Sequence, residues 1–126
     1  MKPRRLSVLV VDDEREIRQL LTDILVDAGH DVTCVPDGAG ARSLLANESR
    51  HFDLAFVDFL MPGEDGLTLI RRLREIRPEL AAVLLTGDTG ITGAAPPDAG
   101  GPIGIITKPF GLSVVEAFIA DLANTP

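Results

Sequence analysis

Five short apolar runs alternate with longer stretches in which apolar residues recur at helical spacing. The first run, residues 6–11, has almost no polar interruption and is typical of a strand buried on both faces. Strands are predicted over residues 6–11, 31–35, 52–57, 81–85 and 103–107. Helices are predicted after the first, second, third and fifth strands, the third over about residues 67–77 and the last over about 112–123. Strands that alternate with helices indicate an α/β fold with a parallel sheet.

The connection between the fourth and fifth strands, Gly87–Pro102, breaks this pattern. It contains five glycines and three prolines, and two of the prolines, Pro96 and Pro97, are consecutive. Proline removes a helical hydrogen bond and clashes with the preceding turn. We therefore predict that the fourth helix is limited to a turn or two, or is absent.

Length and composition predict one globular domain over residues 1–126, with 45% hydrophobic and 25% charged residues. The net charge of −7 argues against a general binder of nucleic acid or anionic membranes. The single cysteine, Cys34, excludes an internal disulfide and is expected to be a buried, inert thiol. The apolar runs are shorter than the roughly 20 residues that span a bilayer, and the N-terminal one is too short for a signal peptide. We expect a soluble, cytoplasmic protein.

Chemistry-bearing residues stand directly after four of the predicted strands. Asp12 and Asp13 follow the first, Asp58 the third, Thr86 the fourth and Lys108 the fifth. Right-handed crossovers place the carboxyl ends of parallel strands on one edge of the sheet, so these side chains are expected to meet there. A carboxylate at the end of a buried strand must be exposed, paired or metal-bound. We interpret Asp58 as a phosphate acceptor and the other four residues as its support.

Four motifs carry a family resemblance: VLVVDDE, FVDFLMPGEDG, LLTGD and ITKPF, in this order. Together they resemble the receiver domain of bacterial response regulators, over essentially the whole chain. The resemblance implies a flavodoxin-like, doubly wound sheet of five parallel strands in the order 2-1-3-4-5. It also implies two-component signalling, in which a histidine kinase or histidine phosphotransfer protein phosphorylates Asp58 and the change switches binding of an unknown downstream protein.

The resemblance further implies a Mg²⁺ site, because phosphoryl transfer to a carboxylate brings negative groups together. Asp13 and Asp58 would be direct ligands, Asp12 would act through water, and Leu60 would contribute its backbone carbonyl. Lys108 would pair with phosphoryl oxygens. Thr86 would donate its hydroxyl to them.

Each of these residues also has an ordinary structural interpretation. Asp58 could be a loop acid or helix cap, Lys108 a solvated lysine and Thr86 a strand-end threonine. Asp13 could cap the first helix, with Glu16 completing a capping box. The resemblance also implies a cis peptide bond before the proline that follows Lys108.

Two features depart from the family pattern. Ile105 stands where the family usually has an aromatic residue that swings inward on activation, and Gly87–Pro102 stands where the family has its fourth helix. The acceptor site is thus expected to be intact and the relay altered. Leu60 and Asp88 occupy the positions that tune how fast water attacks the aspartyl phosphate.

The remaining polar residues receive ordinary interpretations. His30 and His51 are expected to be solvated loop residues. The arginines of Arg71–Arg77 are expected to form the exposed face of the third helix, although they could make a local basic patch.

Two other functions compete with the phosphorylated switch. One is a phosphorylation-independent interaction module on the same fold. The other is an enzyme such as a phosphatase or mutase, which would use an acid where this chain has Leu60. We expect no independent enzyme, no direct nucleic-acid partner and no membrane insertion. The chain could act alone or as part of a longer protein.

Overall fold

The computed structural model describes residues 4–88, 90–91 and 93–124. They contain five strands and four α-helices, which alternate as predicted except between the last two strands. The strands are β1 Ser7–Val11, β2 Asp31–Val35, β3 Leu54–Asp58, β4 Ala81–Thr86 and β5 Gly104–Thr107. The helices are α1 Arg15–Asp27, α2 Gly38–Ala46, α3 Gly66–Ile76 and α4 Leu112–Ala123.

The five strands form one parallel sheet in the order β2-β1-β3-β4-β5, which confirms the predicted fold class. The order reverses between β1 and β3, where the chain first winds outward to β2 and then returns to the other side of β1. In a doubly wound sheet, ligands bind outside the carboxyl ends of the strands at this reversal. The carboxyl ends of β1 and β3 are therefore the first place to look for a site.

Two apolar cores cover the two faces of the sheet. On one face, α1 and α4 pack over alternate residues of the central strands, among them Val10, Phe56 and Leu85. On the other face, α2 and α3 pack over the intervening residues, among them Leu9, Val57 and Leu84. Because β1 and β3 are covered on both sides, their residues are almost all apolar and fully buried. A polar residue at the end of either strand therefore stands out.

The helix ends agree only partly with the predictions. Gly29, with φ of 93°, ends α1 in a Schellman motif, because its N–H bonds the Val26 carbonyl and the next N–H bonds the Leu25 carbonyl. The predicted capping box at the start of α1 is wrong. Glu14, not Asp13, is the N-cap residue, and no side chain caps the helix there. The helix begins one residue later than a capping box formed by Asp13 and Glu16 requires.

The segment 87–102 lacks the fourth helix of the pattern. Among its described residues, the one helical element is a single 3₁₀ turn, Pro97–Ala99, which confirms the prediction. Arg74 of α3 holds this turn, because its guanidinium donates hydrogen bonds to the carbonyls of Pro97, Gly101 (3.0 Å) and Pro78 (3.1 Å). One side chain thus replaces part of the packing that a helix would supply.

Arg77 likewise donates to carbonyls, those of Leu45 and Asn47, at 3.1 and 2.9 Å. Only Arg71 and Arg72 of this set are freely exposed. The interpretation of the arginines as one solvated face is therefore wrong for Arg74 and Arg77, which bond carbonyls in loops and at the end of α2.

Two further sequence expectations are wrong. Cys34 is exposed, because β2 is an edge strand that α1 covers only in part; its Sγ lies 3.2 Å from the Thr22 hydroxyl. His30 is buried, with 6% of its surface exposed, and its Nδ1 accepts the Leu6 N–H at 3.0 Å. The Schellman turn directs His30 under the start of β1, where it takes a backbone partner. His51 is exposed, as expected, and contacts Asp53.

In the described part of the chain, none of the helices has both the length and the hydropathy needed to cross a membrane.

Candidate functional site

The carboxyl edge of the sheet brings together the residues predicted from the strand ends. Asp58 is the last residue of β3 and Thr86 the last of β4, while Asp12 directly follows β1. All three are at least 96% buried. Lys108 directly follows β5, and the peptide bond that joins it to Pro109 is cis, as the resemblance implied. Buried polar groups need partners, so the contacts among them define what the site can do.

Lys108 is the centre of these contacts. Its ammonium lies 3.1 Å from Asp12 Oδ2, 3.1 Å from Asp58 Oδ1 and 3.2 Å from Glu14 Oε1. It crosses from β5 to the loop after β1 and to the end of β3, so it is not a solvated surface lysine. Asp13 and Leu60 line the same open cleft of about 310 Å³, with Thr86 and Gly87 on its far side.

Electrostatics at this edge are dominated by burial. Burial raises the pKa of Asp58 above its ordinary value; the hydrogen bond from Lys108 opposes this, and the nearby charge of Asp12 adds to it. Burial likewise raises the pKa of Asp12, against hydrogen bonds from the Glu14 N–H and from Lys108. For Lys108, burial would lower the pKa, but the bonds to Asp12 and Asp58 outweigh it and raise the pKa. The pocket therefore holds more negative charge than one lysine offsets.

The donor set fits a hard divalent cation. Asp12, Asp13, Glu14 and Asp58 each offer a carboxylate oxygen, and these oxygens lie within 4.8 Å of one another. Mg²⁺ prefers oxygen ligands and keeps several waters, so two or three carboxylates in an open cleft suit it. A cation here would also stabilise the ionised carboxyls, whose pKa values are raised mainly by burial and further by their mutual repulsion. Leu60, whose carbonyl the resemblance implied as a ligand, lies in the same cleft with its side chain 73% exposed.

Thr86 is bonded within its own loop. Its Oγ1 accepts the Asp88 N–H at 3.0 Å, and the Asp88 carboxylate in turn accepts the Gly90 N–H at 2.7 Å. These two bonds fold the start of the 87–102 segment against the end of β4. If the Thr86 hydroxyl changed its partner, the Asp88 N–H would lose its hydrogen bond, and Asp88 would be the first residue of the segment to shift.

The loop after Asp58 is fixed at its base and at its tip. Leu60 pairs with Asp65 in an antiparallel bridge, and the Gly66 N–H bonds the Phe59 carbonyl at 2.8 Å. Gly66 packs against the Asp58 carbonyl so closely that a Cβ there would overlap it. At the tip, Glu64 accepts a hydrogen bond of 2.7 Å from Arg42 of α2.

Three residues that sequence reasoning missed belong to this edge. Glu14 contacts Lys108, Arg18 donates to the Asp12 carbonyl at 2.8 Å, and Arg42 braces the loop through Glu64. Glu14 directly follows the Asp12-Asp13 pair, and this adjacency was the one available signal. The two arginines reach their partners from the helices, and nothing in their local sequence marks them.

Comparison with known proteins agrees with this geometry. The sequence matches the family model of the response regulator receiver domain over residues 8–120. The response regulator receiver protein CpdR of Brucella abortus is 36% identical over 107 residues, which are 83% of this chain and 86% of CpdR. The receiver domain of NtrX from Brucella abortus has a TM-score of 0.80 and 30% identity, and the match covers 94% of this chain and 99% of that one.

Other relatives are longer than this chain. The DNA-binding transcriptional regulator NtrC of Azospirillum brasilense is 34% identical over 124 residues, which are 95% of this chain but 25% of NtrC. The transcriptional regulatory protein AruR of Pseudomonas aeruginosa is 44% identical over 91 residues, 69% of this chain and 35% of AruR. The chain thus spans about a quarter to a third of these two relatives. Since the family model matches most of the chain, the chain belongs to the response regulator receiver domain family.

Proposed function

We propose that Asp58 accepts a phosphoryl group from a histidine kinase or a histidine phosphotransfer protein and that the aspartyl phosphate switches binding of a downstream protein. The observation that carries the proposal is the position of Asp58. It ends a fully buried strand, opens onto the cleft, and has Lys108 3.1 Å from Oδ1. An ordinary loop acid would have no reason to be buried beside other acids.

In the transfer, an Asp58 carboxylate oxygen attacks phosphorus as the bond between phosphorus and the histidine nitrogen breaks. The leaving nitrogen takes up a proton, and the product is a mixed carboxylic–phosphoric anhydride. Lys108 would pair with the phosphoryl oxygens. Asp13 and Asp58 would hold Mg²⁺ directly, with Asp12 acting through water and the Leu60 carbonyl as a further ligand. The bound ion would offset the negative charge of the donor and acceptor.

The domain then acts as a switch that assists its own phosphorylation and dephosphorylation, not as an independent enzyme. Thr86 donates its hydroxyl to the phosphoryl group and gives up its place in the turn with Asp88. Since Arg74 holds the far end of the 87–102 segment, the shift is concentrated between Gly87 and Pro96. Ile105 of β5, 42% exposed, has no aromatic ring, so the switch would work without the rotation of one. We place the protein in the cytoplasm, where its kinase partner would donate the phosphoryl group.

The test is intact mass after incubation with Mg²⁺ and acetyl phosphate. Wild type is expected to gain one phosphoryl group, and Asp58→Ala none. Asp23→Asn, which removes an exposed acid of α1, serves as the control and should behave as wild type. No uptake by wild type in the presence of bound Mg²⁺ would instead support the phosphorylation-independent interaction module. Amide exchange of wild type before and after phosphorylation then tests the segment, and unchanged exchange over 87–96 would contradict the relay.

A further inference from the structure

Lys108 has no hydrogen-bond donor to spare in this structure. An ammonium has three N–H groups, and three carboxylates lie at hydrogen-bond distance from Nζ, those of Asp12, Asp58 and Glu14. A phosphoryl oxygen of the incoming donor can therefore gain a bond from Lys108 before the transfer only when one of these contacts is released. Which contact is released decides how readily the site responds.

The three carboxylates differ in how costly they are to release. Before the transfer, while Asp58 is still a carboxylate, an unpaired charge on Asp12 or Asp58 would remain away from water, because their side chains are 0% and 6% exposed. The side chain of Glu14 is 55% exposed, and water can replace Lys108 as its partner. Glu14 is thus the contact that opens at the smallest cost.

The backbone position of Glu14 also sets it apart. It is the N-cap residue of α1, where Ser, Thr, Asp and Asn are preferred because their short side chains cap the first turn. Glu14 makes no such cap, and its longer side chain contacts Lys108 instead. The Glu14 side chain thus leaves the first turn of α1 without a side-chain cap and restrains the lysine instead.

We propose that Glu14 is a positioning residue that holds Lys108 in the unphosphorylated site and is exchanged for a phosphoryl oxygen when Asp58 is phosphorylated. The inference rests on the proposed function. In the exchange, one N–H of Lys108 leaves Glu14 Oε1 for the phosphoryl oxygen, and the Glu14 carboxylate is rehydrated. No proton moves in this exchange, and Lys108 keeps its bonds to Asp12 and Asp58 until the phosphoryl group is transferred. Glu14 therefore sets a small barrier to phosphorylation.

The experiment compares Glu14→Gln and Glu14→Asp with wild type, and uses Glu16→Gln as the control. Glu16 is an exposed acid in the first turn of α1, so the control removes a similar charge from the same helix end. Glu14→Asp keeps the charge, but its side chain is one methylene shorter and cannot reach Nζ from the same backbone. It also introduces a preferred N-cap residue, so it should unfold at a higher urea concentration than wild type.

Rates of phosphorylation by acetyl phosphate are measured by intact mass at saturating Mg²⁺. Release of an exposed ion pair corresponds to a rate increase of about two- to fivefold. We expect this increase in both Glu14→Gln and Glu14→Asp, with Glu16→Gln close to wild type. If Glu14→Asp keeps the wild-type rate, Glu14 acts through its charge alone and the proposal is wrong.

Two further readouts separate positioning from other roles. The chain contains two lysines, Lys2 and Lys108, so NMR of lysine-labelled protein resolves the Lys108 side chain with little overlap. Its order should fall in both Glu14 variants and not in Glu16→Gln. In calorimetric titration with Mg²⁺ alone, Glu14→Gln should raise the Kd less than about tenfold, because Glu14 would act on the ion only as a nearby charge; a larger loss would identify Glu14 as a metal ligand and overturn the proposal.

The outcomes also distinguish this inference from the proposed function. Wild type that takes up a phosphoryl group, with Glu14 variants no faster than Glu16→Gln, overturns the role of Glu14 only. Wild type that takes up none overturns both, because no exchange at Lys108 then takes place.

Discussion

Removal of the Arg74 guanidinium should destabilise the fold through the segment between β4 and β5. Arg74 donates to three carbonyls, and of their residues Gly101 is buried whereas Pro97 and Pro78 are exposed. Loss of the bond to the buried carbonyl costs about 2 kcal/mol, and water replaces the other two at about 0.5 kcal/mol each. Nε of Arg74 is buried without a partner among the described residues, so its removal raises the free energy of unfolding by about 1 kcal/mol. Arg74→Met should therefore lose about 2 kcal/mol of the free energy of unfolding.

The measurement is urea unfolding together with amide exchange. A loss of about 2 kcal/mol corresponds to a fall in Tm of roughly 8 °C for a domain of this size. Arg72→Met is the matched control on the same helix. Arg72 is exposed and makes only a 3.7 Å ion pair with Glu75, so its loss should stay within about 0.5 kcal/mol. Arg74→Lys keeps the charge but cannot reach all three carbonyls, and should recover less than half of the loss.

Exchange shows where the destabilisation acts. The amides of Ala99 and Gly101 donate to the Pro96 carbonyl inside the segment 87–102, and the Ile103 amide donates to the Ala82 carbonyl of β4. Arg74→Met should speed exchange at Ala99 and Gly101 beyond what the global loss of stability explains. The reasoning is refuted if Arg74→Met is no less stable than Arg72→Met, or if these amides exchange only by global unfolding.

Three more predictions concern the ends of the sheet. Burial, and then the charge of nearby Arg5, lower the His30 pKa from its ordinary 6.5, so the unfolded chain binds more protons below about pH 6.5. The stability that His30 contributes is thus complete above that pH and is lost as the pH falls towards the lowered pKa. His30→Asn keeps an acceptor for the Leu6 N–H and should remove this pH dependence of the free energy of unfolding, measured with urea. Mg²⁺ at 100 times its Kd should add about 2.7 kcal/mol to the free energy of unfolding, and Asp13→Asn should abolish most of that gain in thermal melts. Arg42→Met should raise the Mg²⁺ Kd severalfold in calorimetric titration, because the ion pair with Glu64 that fixes the tip of the Leu60 loop is lost; an unchanged Kd would show that the base of the loop suffices.

The sequence predicted the sheet and the strand-end residues well because both follow from patterns along the chain. Continuous apolar runs indicated the buried strands, and parallel strands bring Asp58, Thr86 and Lys108 to one edge whatever the strand order. The order itself came from the family resemblance, since periodicity does not determine which strands are neighbours. The glycines and prolines of Gly87–Pro102 predicted the missing helix, because their backbone restrictions act locally.

The errors fall where long-range contacts decide. Cys34 lies in an apolar run, but an edge strand exposes side chains that a central strand would bury. The sequence predicted His30 to be a solvated loop residue, but the turn at Gly29 buries it under the start of β1. Arg74 lies on a helix face whose sequence predicts solvent exposure. Its carbonyl partners, Pro97 and Gly101, are more than 20 residues away along the chain.

The contacts at the two ends of the 87–102 segment limit how a change at Asp58 can spread. One end is tied to Thr86 through the Asp88 N–H, a bond that the phosphorylated site would compete for. The other end is tied to Arg74, which lies on α3 and touches none of the residues at the carboxyl edge among its described contacts. Under the proposed function, the segment is released at the Thr86 end and held at the Arg74 end. The proposed function therefore predicts that a downstream partner contacts the segment 87–102 together with β5, the neighbouring edge strand.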